Sequence, residues 1–369
     1  MDSQVLLAER KARIAKAVAL EETDRTPVIL EMAAFTARVE KIPMAKWGSD
    51  SFISAQAMIN TFKKVGGADG VDYGSLFPPL LSLIWLSKVK LAGKELPEDS
   101  LWQVSEAELM TKDDYDRIIT EGYPNWMISF FHEKIGADVF QQIMAEMQKG
   151  PEIMEMWKNK GIPVMSGGTA SVPFEYYCGA RSFAKFVRDL YKIPDKVQAA
   201  MDAALPYMTP QTIQGTKELG CDYMWIGGWR SAGSMLSQPL WDRFVFPYFE
   251  KVITETIEAG LIPILHFDSD WTRDLERFKI FPKGKCILEL DGMTDIFKAK
   301  EILGDTMCIM GDVPASMFTL GTPDEVYKYS RKLIEEIGPQ GFILHSGCDI
   351  PIDAKLENVQ AMVAAATGK

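Results

Sequence analysis

Long apolar runs are missing from this chain. No stretch approaches the roughly 20 consecutive apolar residues that a helical membrane span needs. The opening residues, Met1 to Arg13, hold none of the uninterrupted hydrophobic core of a secretory leader and read as an amphipathic surface helix, so a cytoplasmic protein is expected. Positive charge is in deficit: 51 acidic residues face 40 basic ones, a formal net charge of −11, which argues against a nucleic-acid surface. Cysteine is sparse. The five present are odd in number, scattered, and form no Cys-x-x-Cys pair, so no disulfide framework is indicated. Also absent are Gly-x-Gly-x-x-Gly after a strand, a Walker loop, Gly-x-Ser-x-Gly and His-Glu-x-x-His, which removes the commonest nucleotide, hydrolase and metalloprotease signatures.

What is present is an ordinary globular composition, 47% apolar and 25% charged, enough over 369 residues for one large core. A single domain spanning 1–369 is expected. Nine tryptophans and 20 methionines are a generous supply; such side chains suit an adaptable cavity for a flat organic ligand, although most of them are expected to fill core.

Four short apolar runs near the C-terminus organise the chain: Pro263–His266, Cys286–Glu289, Met307–Met310 and Phe342–His345. They are apolar throughout, as parallel strands covered on both faces must be, and helical segments such as 294–303 and 323–337 separate them. Earlier candidates are Thr26–Met32, Val71–Tyr73, Gly161–Gly168 and Gly220–Trp229, making eight strands in all. Eight strand–helix repeats predict an α/β protein built as a (β/α)8 TIM barrel. An open doubly wound sheet is the alternative that spacing alone allows. Residues from about 91 to 152 fit the repeat least and are expected to form a helical insertion over the C-terminal mouth. Lys196–Tyr207 reads as a helix, and Pro247 should split the helical stretch 239–260.

In such a barrel the strand ends converge, so polar tips far apart in sequence can form one site. The tips are His266 and Asp268, Glu289 and Asp291, Asp312, and Cys348 in the turn Gly347-Cys348-Asp349. A lone strand-end histidine or cysteine is ordinarily structural, and Cys286 and Cys308, inside strand runs, are assigned to packing. Imidazole, carboxylate and thiolate at three neighbouring tips form a mixed donor set suited to zinc. His266, Asp268, Glu289 and Cys348 are therefore the expected metal ligands, with His266, Glu289 and Cys348 as the catalytic group. Asp268 either binds the ion or hydrogen-bonds His266 from behind, and Asp291 is available in either role.

These residues also carry a resemblance. Arg25-Thr-Pro-Val, the stretch Gly179-Ala-Arg-Ser-Phe-Ala-Lys-Phe-Val-Arg-Asp-Leu-Tyr191 and Ser346-Gly-Cys-Asp-Ile-Pro351 make the chain similar to the uroporphyrinogen decarboxylase superfamily over most of its length. Within it, the chain resembles the zinc-dependent cobalamin methyltransferases more than the decarboxylase. Where the decarboxylase has an arginine-rich segment after its first strand, this chain has Glu31-Met-Ala-Ala-Phe-Thr-Ala-Arg38, with one arginine to meet substrate carboxylates. The methyltransferases pair His-x-Cys with a downstream Glu and a late Gly-Cys turn. His266, Glu289 and Cys348 match, while Asp268 stands in place of the cysteine, a departure that turns the expected donor away from thiols.

The resemblance implies zinc, a corrinoid carried by a partner protein, and a small-molecule methyl donor, with aromatic methyl ethers the best guess for this branch. Tyr73, Trp229 and Trp271 are taken as candidate aromatic walls and Asp312, at a strand tip, as a further substrate contact. The acidic segment 96–157 would meet the corrinoid partner, and a homodimer is among the states that remain open. Two other readings stand beside it: a metal-free tetrapyrrole decarboxylase, and a corrinoid- or tetrapyrrole-binding protein without catalysis.

Overall fold

The computed structural model describes residues 2–368. Eight parallel strands run in chain order around a closed barrel: β1 Ile29–Leu30, β2 Gly70–Val71, β3 Ser166–Ser171, β4 Tyr223–Gly228, β5 Ile262–Phe267, β6 Ile287–Leu290, β7 Cys308–Val313 and β8 Phe342–Ser346. Strands β3 to β8 pair as one six-stranded parallel sheet, and β1 pairs with β2. Two bridges close the ring, Val28 against Leu344 and Val71 against Val164. The fold is the expected TIM barrel. Its first two strands are only two residues long, where Thr26–Met32 had suggested a full-length one.

Parallel strands buried on both faces alternate between the barrel interior and the surrounding helices. Ile29, Ile264, Ile287, Cys308 and Ile343 share one interior cluster with Met165, Met310 and Tyr223. Ile14, Ala17 and Val18 of the N-terminal helix Ser3–Val18 pack into that cluster and plug the bottom of the barrel. Leu265, Leu288, Ile309 and Leu344, one position further along, belong to the larger cluster between sheet and helices. Any side chain two residues beyond the interior isoleucines therefore points inward again, one layer nearer the mouth.

The helices carry the start and stop chemistry that their sequences promise. Asp50 caps Ser51–Val65 by accepting from the Phe52 amide, and Thr322 with Glu325 forms a capping box on Pro323–Ile337. Pro247 lies in the first turn of Phe246–Glu258, separated at Val245 from Gln238–Phe244, so the predicted split occurs. One expectation fails: the helix that begins at Pro194 continues to Glu218 through Pro206 and Pro210. Its face packs on β3 and on helix Asp113–Glu121, and that packing outweighs the propensity cost of the prolines. No helix among the described residues is long and apolar enough to cross a membrane.

Of the segment 91–152, the antiparallel ribbon formed by Lys88–Lys90 and Gln103–Ser105 lies near the mouth. The helices from Asp113 to Lys158 pack into the main core through Trp126, Phe130, Ile143 and Trp157.

Asp69 fastens the seam where the barrel closes. Its buried carboxylate accepts from Arg13 (2.6 Å), Arg25 (2.7 and 2.8 Å) and the Val28 amide (2.9 Å), tying the N-terminal helix to β1 and β2. Removing it leaves two arginines and an amide facing a hole. Asp69→Ala should cost about 2–3 kcal/mol, discounted for the partial exposure of both arginines, with Asp69→Asn costing less; urea unfolding measures both.

Candidate functional site

Two layers of side chains meet at the C-terminal end of the barrel. The deeper one holds Glu31, His266, Glu289 and His345, each two residues after an interior isoleucine. His266 and Glu289 are register partners on β5 and β6. Nδ1 of His266 stands 3.1 Å from Glu289 Oε2, and Nδ1 of His345 stands 3.3 Å from Glu289 Oε1. Nε2 of His266 faces the other way, 3.3 Å from Asp268 Oδ1. One ligand atom each from Glu31, His266 and Cys348 lies within 4.8 Å of the others.

The structure thus gathers His266, Asp268 and Cys348 as the strand-tip pattern suggests. Glu289, expected beside them as a ligand, stands behind His266 on its Nδ1 side. Glu31 takes the place facing Cys348. Asp291 holds backbone instead, accepting from the Ser269 amide (2.9 Å) and the Met293 amide (2.8 Å).

Glu31 and His345 escaped the sequence reading, yet a signal existed. The tripeptide Ile-Leu-Glu or Ile-Leu-His occurs at 29–31, 264–266, 287–289 and 343–345, and period two places all four polar ends on the same inner face. Two of these repeats were read only as strand. Asp72, fully buried at the end of β2, was likewise read as strand.

Electrostatics mark the cluster as starved of positive charge. Burial drives the Glu31 carboxyl well above its usual range, opposed by His266 and reinforced by Glu289, Asp349 and Asp72. Asp72 is driven up by burial and then by Glu289. Burial works against charge on His266, but Glu289 and Asp268 outweigh it and raise its pKa well above the ordinary value. The Cys348 thiol is pushed up to about 12, by burial first and then Glu31, against the pull of His266. Asp349 is pushed up to about 7 by burial, while the Ala33 amide (2.8 Å) and the Tyr73 hydroxyl (3.2 Å) donate to it. Among the described residues, no lysine or arginine pairs with Glu31, Asp72 or Glu289. Imidazole, sulfur and carboxylate oxygens in this spacing, several without a hydrogen-bond partner, fit a divalent ion such as zinc.

Above these groups opens a cavity of about 600 Å³, with Glu31, His266, Asp268 and Cys348 in its wall. Trp225 stacks on the His266 ring (centroids 4.7 Å) and on Trp229 (6.3 Å), and Trp85 meets Trp229 edge-on (6.1 Å). Gly227 lies between the two stacked indoles, where a Cβ would collide with both. Tyr73 and Trp229 line the cavity as expected, joined by Leu101, Trp102 and Val104 from the ribbon region. Trp225 was not anticipated.

Trp271 and Asp312, expected as substrate contacts, lie outside this wall. Trp271 is fully buried, stacked on Phe267 at 4.0 Å, and its indole donates to the Asp268 carbonyl at 2.7 Å, so it supports the Asp268 loop from behind. Asp312 is buried and accepts from the Tyr329 hydroxyl at 2.8 Å. The backbone after β4 is held by Glu175, a fully buried carboxylate that accepts from the amides of Trp229, Arg230 and Ser231 and from the Ser231 hydroxyl.

An all-parallel eight-stranded barrel whose C-terminal mouth carries a metal-type donor set beneath an aromatic cavity defines the class. Comparison with known proteins narrows it. The uroporphyrinogen decarboxylase (URO-D) family model matches residues 144–368, and the chain belongs to that family. It is 26% identical over 213 residues to uroporphyrinogen decarboxylase from Syntrophotalea carbinolica, covering 55% of this chain and 58% of that one. To the human enzyme of the same name it is 25% identical over 198 residues, covering 51% of each. The chain therefore spans little more than half the length of the curated relatives it matches. In structure it is similar to a methyltransferase from Methanosarcina mazei, with a TM-score of 0.73, 18% identity, and coverage of 96% and 97% of the two chains. That likeness establishes the shared fold.

Burial pushes the Asp312 carboxyl up to about 7, with the Tyr329 hydroxyl opposing. Because the folded pKa lies above the unfolded value near 3.9, the native state binds the extra proton between these values, and stability falls as pH rises through the window. From pH 5 to pH 8 the loss from this group should be about 2–3 kcal/mol. Asp312→Asn keeps the acceptor for Tyr329 and should flatten that part of the dependence in urea unfolding at the two pH values.

Proposed function

We propose that this protein is a zinc-dependent methyltransferase that moves a methyl group from a small donor, best an aromatic methyl ether, to the Co(I) corrinoid of a partner protein. The observation that carries the reading is the approach of Glu31, His266 and Cys348 within 4.8 Å of one another in the wall of the aromatic cavity. These three residues, with Asp268 beside them, would hold the zinc. Bound there, it supplies Lewis acidity toward the oxygen that must leave with the electron pair of the methyl–oxygen bond.

The chain's own residues account for the rest. Trp225, Trp229 and Tyr73 offer flat apolar faces against which an aromatic ring can lie, and their bulk keeps water from the polar floor. Glu289 faces Nδ1 of His266 and leaves Nε2 directed toward Asp268 and Cys348, the orientation a metal-binding histidine needs. The Glu31 and Cys348 loops are bound to each other, the Ile350 amide donating to the Glu31 carbonyl at 2.8 Å. The donor's methyl group then lies toward the mouth, the side from which a partner protein reaches the site.

The charge of the cavity speaks against a polycarboxylate tetrapyrrole. Arg25 pairs with Asp69, Arg38 with Asp99, and Arg230, in the cavity wall, with Glu106 at 3.4 Å. Glu31, Asp268 and Asp349 share that wall. A substrate bearing several carboxylates would meet more acid than base.

His266→Ala and Cys348→Ser should each lose the zinc of this site and lower corrinoid methylation by about 10³-fold or more, several kcal/mol of lost stabilisation. The assay follows methylcobalamin absorbance over a panel of methoxyarenes, methylamines and methylthiols, with elemental analysis of the same samples. Full methylation by metal-free protein, or tetrapyrrole decarboxylation in its place, would refute the reading.

A further inference from the structure

We infer that the barrel interior holds a second divalent cation, beneath the first, between Glu31, Glu289 and His345. The inference goes beyond the methyl-transfer reading and touches it through Glu31, which belongs to both groups, and through Glu289, which faces His266. One ligand atom from each of the three residues lies within 4.8 Å of the others, close enough that a small inward shift brings all three to about 2 Å from a common ion. Glu289 and His345 are fully buried and Glu31 is 6% exposed.

The unpartnered atoms point to a missing charge. Both oxygens of Glu289, both nitrogens of His345 and Oε2 of Glu31 are buried without a hydrogen-bond partner. So are both oxygens of Asp72, which is fully buried and senses Glu289 more strongly than any other charge. A purely structural polar network would align its N–H groups on these acceptors, because leaving buried acceptors unpaired is costly. Here the imidazoles approach Glu289 at 3.1 and 3.3 Å without that alignment.

Charge counting leads to the same place. An ion held by Glu31, His266 and Cys348 uses its two positive charges on one carboxylate and one thiolate. Glu289 and Asp72 then remain as buried carboxyls in the barrel, with only imidazoles to face them. Two carboxylates and an imidazole, without sulfur, favour a hard-to-borderline ion such as Zn2+, Mn2+ or Co2+. Such an ion would also fix Glu289 and, through it, the ring of His266.

The experiment titrates chelator-stripped full-length protein with Co2+, counting bound ions by equilibrium dialysis and elemental analysis. The thiolate-to-cobalt charge-transfer band separately reports coordination by Cys348. Wild type should bind two ions per chain and show the band. Cys348→Ser should keep one ion and lose the band, whereas His345→Ala should keep one ion together with the band. A wild type that saturates at one ion, lost in Cys348→Ser and kept in His345→Ala, overturns the second site and leaves the methyltransferase reading standing. One ion without the band, kept in Cys348→Ser, has the opposite meaning. Should His345→Ala fail to fold, the count in Cys348→Ser decides alone: one ion supports the second site and none overturns it.

Discussion

The constraint on which this molecule depends is the period of two in a parallel strand, applied eight times around a closed ring. Ile29, Ile264, Ile287 and Ile343 are packed into the apolar interior with the N-terminal helix beneath them. Once they are fixed there, Glu31, His266, Glu289 and His345 have no choice but to point inward one layer higher. A slip of one residue in any of these strands would exchange each polar side chain for a leucine. The hydrophobic packing that stabilises the barrel is thus also what assembles the polar floor, and Asp69 protects both by fastening the seam where the two shortest strands close the ring.

Assembly of that floor sets an electrostatic problem that the fold does not solve alone. Glu31, Asp72 and Glu289 are buried, and the nearest basic groups are two histidines, of which His345 is held toward its neutral form by burial. The acid-rich chain carries 40 lysines and arginines, yet Arg38 and Arg230 are committed to surface carboxylates and Arg25 to the seam carboxylate Asp69. Buried carboxylates in this condition either hold protons or hold cations. The sulfur of Cys348 and the Nε2 side of the His266 ring, which faces Asp268, add the donor types that a divalent ion takes.

How much of this was legible in the sequence follows from which signals are local. Strand positions in the second half were readable because each run is apolar, short and ended by a polar residue or glycine, and the capped helices between them were equally plain. His266, Asp268 and Cys348 could be joined because barrel topology brings strand ends together whatever lies between them. Glu31 was hidden because β1 is short and its loop was read for its lack of arginines, not for its glutamate. His345 was set aside for lying within a strand, although Ile343, two residues earlier, marks its direction. Trp271 and Asp312 were drawn toward the substrate by position in sequence, whereas their side chains turn back into the packing behind the loops. Which side of a histidine a carboxylate faces depends on rotamer and register, and no local pattern carries that.

A barrel shared with decarboxylases and with a methyltransferase does not choose between their chemistries, because function resides in the side chains mounted on it. Here the choice rests on what the mouth can neutralise. A cavity whose one arginine is already paired, whose polar floor is acidic and whose walls are indole and phenol faces has little to offer a ring of carboxylates. It offers much to a flat, weakly charged molecule with a heteroatom to place against a Lewis acid. The same indoles that exclude water also raise the cost of every unpaired charge beneath them, so aromatic wall and metal-type floor depend on each other. Loss of Trp225, stacked on His266, would admit water to the floor as well as remove a face for the ligand, and its contribution to binding is inseparable from its contribution to the electrostatics of the site.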